Sequence, residues 1–144
     1  MGLNRHIDQD TAIPMLRVKR QRFTIAEINA GVTLLSAIPA TAGPWKYRLV
    51  DAMAIAIGGA AAAVTTVDIL ATQSAGSVKL VAFAQASLTQ SAVLRAGGAG
   101  ATVLANGASF GENDINTAIT VGKTGADITT ATHIDINIQY EVTE

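Results

Sequence analysis

The stretch HIDINIQYEV, residues 133–142, alternates without a break. His133, Asp135, Asn137, Gln139 and Glu141 take one side, and Ile134, Ile136, Ile138, Tyr140 and Val142 the other. Successive side chains of a strand point to opposite faces, so the pattern describes a half-buried antiparallel strand with one face on a core. Such a strand needs partner strands beside it and a second layer over its apolar face.

The chain supplies both. From Val32 onward the period is two. VTLLSAI, YRLVDAMAIAI, VTTVDILATQ, SVKLVAFAQA, SAVLRAG, ATVLANG and NTAITVG read as strands, set apart by Gly, Ser, Thr and Gln punctuation. Roughly eight short strands with turn residues between them predict an all-β sandwich or barrel. The fold that best fits that count is a jelly-roll-like β-sandwich. In YRLVDAMAIAI the alternation puts Tyr47, Leu49, Met53, Ile55 and Ile57 on the apolar face, with Asp51 among them. Arg48 and the alanines fall opposite. Gly58-Gly59 marks GGAAAA as a loop.

One short helix is predicted, in FTIAEINAG at 23–31. Thr24 is a good N-cap and Glu27 completes a capping box; Phe23 and Ile28 stand at the staple positions. Gly31 supplies the left-handed stop. Under two turns long, the helix is marginal alone and must pack on something.

Residues 1–22 read as an N-terminal arm and 23–144 as the sandwich domain. The arm ends in the basic segment RVKRQR, and with Arg5 it holds five of the ten basic residues, against Asp8 and Asp10. Two readings stand side by side. The basic side chains keep a strand edge from mispairing, or they form a positive arm for an acidic partner surface. The second reading expects residues 1–22 to be removable without loss of the fold.

At 144 residues the chain suits one domain, and a domain of that size buries about 68–70% of its unfolded surface. Charged residues are only 15%, against about 25% in an ordinary domain. Much of the apolar content is alanine. So few charges coat an isolated globule thinly, which points to surface covered by other subunits. The net charge of −1 excludes a chain-wide electrostatic nucleic-acid binder. The absence of Cys excludes disulfides, thiolate zinc sites and a Cys nucleophile. No stretch approaches the roughly 18 apolar residues of a membrane span. The polar start MGLNRHIDQD lacks the apolar core of a secretory signal.

Gly122-Lys123-Thr124 has the letters that end a phosphate loop. That loop needs an earlier Gly, where Thr117 stands, and a helix after it, where a Thr-rich stretch and the alternating strand follow. The expectation is a Gly-rich connection with Lys123 in solvent. AGGAGA at 96–101 lacks dinucleotide spacing and reads as a loop. His133 and Asp135 share a strand face, with Glu112, Asp114 and Asp127 as further acids, but residues on an outward face are usually only solvated. No serine sits in a Gly-x-Ser-x-Gly elbow. Few aromatics are present to stack a sugar. The chain therefore reads as no enzyme, with no catalytic, cofactor or metal residues. Trp45 is either a loop anchor or an interface residue. Asp68 lies in an apolar strand, where an unpaired charge is costly; it faces outward or meets a base such as Arg48 or Arg95.

The run FTIAEINAGVTLLSAIPATAGPWKYRLVDA, then TTVDILATQ, QSAVLRAG, TVLANGASF and NTAITVGKTGADITTATHIDINIQYEV, resembles the decoration, or cement, proteins of tailed-bacteriophage capsids. The likeness covers about residues 22–143. It implies a jelly-roll or related sandwich, made in the host cytoplasm and placed on the outer surface of the virion. There it implies a homotrimer or other small oligomer that bridges major capsid protein subunits and resists internal DNA pressure. No cofactor, membrane or direct nucleic-acid contact is implied. The residues expected to touch the capsid are Arg17, Lys19, Arg20, Arg22 and Trp45. The alternative is a receptor- or carbohydrate-binding β-sandwich on a head fibre or tail.

Overall fold

The computed structural model describes residues 15–144. Among them run nine strands: β1 Arg17–Thr24, β2 Val32–Leu35, β3 Lys46–Ile57, β4 Val64–Gln73, β5 Gly76–Ala84, β6 Val93–Arg95, β7 Ala101–Val103, β8 Ile119–Gly125 and β9 His133–Thr143. They form two sheets, ordered β1-β9-β3-β6 and β2-β8-β4-β5-β7, and every strand pairing is antiparallel. Set aside the short edge strand β7 and number the other eight in chain order. The sheets then read 1-8-3-6 and 2-7-4-5, the strand order of a jelly roll.

Local chemistry accounts for the connections. Helix α1, Ile25–Ala30, joins β1 to β2 across the sandwich. Thr24 accepts from the Glu27 N–H, and the Glu27 carboxylate accepts from the Thr24 N–H, closing the expected capping box. Phe23 and Ile28 are both fully buried, so the helix packs its one apolar turn into the core. Gly31 stops it at φ +82°.

The core lies between the sheets. Strand β9 contributes Ile134, Ile136 and Ile138; the second sheet contributes Val67, Ile69, Val81, Phe83 and Val121. Strand β3 departs from the alternation read in its sequence. Its register on β9 shifts between Leu49 and Asp51, leaving Val50 as an extra residue. A bulge of one residue exchanges the faces beyond it. Leu49 is therefore buried, but past the bulge it is Ala52, Ala54 and Ala56 that face the core. They pair with Ile138, Ile136 and Ile134, so small side chains stand beside large ones across the two strands. Met53, Ile55 and Ile57 lie on the outer face, half-buried.

Residues 17–22, grouped with the arm on sequence, pair in the sheet as most of β1, from Arg17↔Tyr140 to Thr24↔His133. The rest of the expected arm, residues 1–14, lies outside the described residues.

Candidate partner-binding surface

Among the described residues strand β1 is one edge of the first sheet. Its pairing with β9 fixes where each basic residue projects. Arg20 stands opposite Asn137 and Arg22 opposite Asp135, on the outer face; Arg17 and Lys19 alternate to the other side, opposite Tyr140 and Ile138. Arg17 and Arg20 are exposed and Lys19 is half-buried. Among the described residues, no carboxylate lies within ion-pair distance of these three. Arg22 differs. Its Nε donates to Asp135 Oδ1 at 2.6 Å and its Nη2 to Asp135 Oδ2 at 2.8 Å. This bidentate bond holds the Asp135 carboxyl below the usual carboxylate range.

Trp45 follows the 3-10 turn Ala40–Ala42. Its indole Nε1 donates to the Ala42 carbonyl at 3.0 Å. Gly43, at φ +130°, lies against the indole, and a Cβ there would meet Nε1 at 2.7 Å. The indole is thus held by its own loop, and it is still half-exposed.

The outer face of the first sheet carries two further cross-strand ion pairs. Arg48 donates to Glu141 through Nε at 3.0 Å, and Arg95 donates to Asp51 at 2.7 Å. Between the pairs lie Met53, Ile55 and Ile57, with Val93 60% exposed beside Ile55 and Val18 53% exposed on β1. A shallow groove on this face is lined by Arg20, Arg22, Ile55, Asp135 and Asn137.

The other sequence candidates are spoken for locally. Gly122-Lys123-Thr124 lies inside β8, not in a connection. Lys123 is not in solvent: its side chain is 17% exposed, paired with Asp127 at 2.9 Å and donating to the Gly125 carbonyl at 2.9 Å. Asp68 is 1% exposed and meets neither Arg48 nor Arg95. Its partners are Lys79, at 3.3 Å, and the Thr124 hydroxyl, at 2.6 Å. Its Oδ1 has no hydrogen-bond partner among the described residues. Glu112 accepts from Lys46 at 3.1 Å and from the Thr143 hydroxyl, which lowers its pKa. Asp114 accepts from the N–H groups of Ser74 and Ala75. His133 Nδ1 lies 3.1 Å from the Thr132 hydroxyl. The acids and histidine named as possible ligands thus sit in separate local pairs. Among the described residues no three His, Asp or Glu side chains converge.

No protein-family model matches the chain, and no curated protein matches it. Solved structures that resemble it include two from viruses. One is a chain of the acid-stable capsid of Helicobacter pylori bacteriophage KHP30, at 12% identity and a TM-score of 0.47, covering 90% of this chain and 94% of that one. The other belongs to the triple jelly-roll and turret assembly of an archaeal virus, at 18% identity and a TM-score of 0.44. There the likeness covers 90% of this chain and 28% of that one.

Proposed function

We propose that this protein is a structural component of a tailed-phage virion, a decoration protein that cements the outer surface of the capsid as a small homo-oligomer. The observation that carries the reading is the β1 edge: among the described residues no strand pairs with its outer side, and the charges of Arg17, Lys19 and Arg20 on it have no counter-ion. A sheet edge of this kind takes up an added strand or loop, and its cations select an acidic one. Loops of the major capsid protein are the partner in this reading. The resemblance of residues 22–143 to decoration proteins supports it, as does a jelly roll whose candidate chemical groups are absorbed in local pairs.

The mechanism is linkage. A protein that binds the assembled shell and not its separated subunits stabilises the shell by mass action. Edge cations speed and orient the encounter, while apolar anchors such as Trp45 hold the complex. Arg22 contributes less than its charge suggests, because Asp135 already neutralises it.

The test is to add purified protein to expanded shells. Binding with a raised shell-disruption temperature is expected. Protein that neither oligomerises nor binds shells overturns the reading.

A further inference from the structure

The outer face of the first sheet is built to be covered. Val18, Met53, Ile55, Ile57 and Val93 lie on it, on three of its four strands. The second sheet's outer face is more polar: beside Leu70, which pairs with Thr120 and Lys79, its rows are Thr66 with Thr124, Asp68 with Gly122 and Ala82, and Ala82 with Thr102.

Charge decides what kind of partner fits. Three arginines and three carboxylates on this face are joined as Arg22–Asp135, Arg48–Glu141 and Arg95–Asp51. Only Arg20 is left over among the described residues. Ions already paired with each other keep their partner when water is excluded, so covering them costs less than covering lone charges. The face therefore has almost no field to attract a strongly charged surface, and almost none to repel itself. Like-charge contact is the usual obstacle to pairing a surface with its own copy, and here it is confined to Arg20.

Size is adequate. Strands of 8, 11, 12 and 3 residues, at about 3.4 Å per residue and about 4.8 Å apart, give a footprint of roughly 550 Å², or about 1,100 Å² over two copies, above the ~1,000 Å² that a specific interface should clear.

We propose that the occupant of this face is a second copy of the chain, and that Met53 and Ile55 stand at the centre of the contact. The inference rests on the homo-oligomer in the proposed function and assigns its interface. The basic β1 edge is left for the capsid.

The experiment measures mass in solution by analytical ultracentrifugation over a concentration series, for wild type and for Met53→Glu/Ile55→Glu. Wild type is expected as an oligomer, and the double variant as a monomer with a wild-type circular dichroism spectrum. A Thr102→Glu control on the second sheet should keep the wild-type mass. Because the chain has no cysteine, Ile55→Cys adds a readout that does not depend on destabilisation. Its single thiol should react with a maleimide at least tenfold more slowly at concentrations that favour the oligomer than at those that favour the monomer. If wild type is oligomeric but Met53→Glu/Ile55→Glu keeps its mass, or the thiol stays equally open, this assignment fails and the proposed function stands. If wild type is a monomer throughout, the assignment fails, and binding to shells then decides the proposed function separately.

Discussion

Arg22 and Asp135 face each other across the β1–β9 pairing, and both ends of the guanidinium fork are used, at 2.6 and 2.8 Å. One bond pair thus ties the edge strand to the strand beside it. It also takes Arg22 out of the free positive charge of the edge, and takes Asp135 out of any ligand set with His133.

This pairing has a pH signature. Arg22 lowers the Asp135 pKa in the folded chain. A depressed carboxyl contributes stability that is fully present above the ordinary carboxylate range, near pH about 4, and lost as pH falls through the lowered value. Carbon-detected NMR titration of the Asp135 carboxyl should give a midpoint below the ordinary value. Arg22→Ala should move it upward. A midpoint that does not move would mean that the pair is not formed in solution.

The bulge at Val50 predicts an inverted mutational pattern along β3. Ala54 is fully buried, so Ala54→Leu should overpack the core and cost about 1–3 kcal/mol. Ile55→Thr, on the outer face, should change monomer stability by about 0.5 kcal/mol or less. Urea unfolding of both variants checks the order. The uninterrupted alternation read in the sequence predicts the reverse.

That contrast marks what could be read before the structure. Strand β9 was legible because no bulge interrupts it, and its three isoleucines point where the alternation says. Helix α1 was legible because capping is local: Thr24, Glu27 and Gly31 lie within one short stretch. Strand β3 was not, because one extra residue reverses the faces and nothing in YRLVDAMAIAI marks Val50 as extra. The partners of Arg22, Asp68 and Lys123 were not legible either. Two of them depend on register between distant segments, and Lys123 depends on a side chain folding back toward Gly125 and Asp127. The edge position of β1 was one of two readings of its basic run, and among the described residues pairing with β9 places the run at the edge of the sheet.

Asp68 makes a further prediction. Its carboxylate is almost wholly covered and relies on Lys79 and Thr124. Lys79→Met leaves a buried charge with one hydroxyl for company, at a cost of roughly 1–3 kcal/mol. Asp68→Asn in the same chain should restore part of that loss. A double-mutant cycle by chemical denaturation reads the coupling. Simple additivity of the two substitutions would show that the ion pair contributes nothing.

Truncation separates the tail from the edge strand. All described contacts are made by residues 15–144, so removing residues 1–14 keeps every one of them. Removing residues 1–22 takes away most of β1, including Arg22, and leaves one side of β9 unpaired above Ile134, Ile136 and Ile138. The longer deletion should lower the melting temperature by about 5 °C or more, as expected for a loss of roughly 2 kcal/mol in a chain of this size. The edge cations can be tested without cutting the strand. Arg17→Gln/Lys19→Gln/Arg20→Gln keeps β1 and should hold monomer stability within about 1 kcal/mol of wild type. Its binding to expanded shells should weaken several-fold at low salt and approach wild type at high salt, because exposed charges act within about 10 Å at 0.1 M ionic strength. Equal affinity of the triple variant and wild type at every salt concentration would remove the β1 edge from the capsid contact.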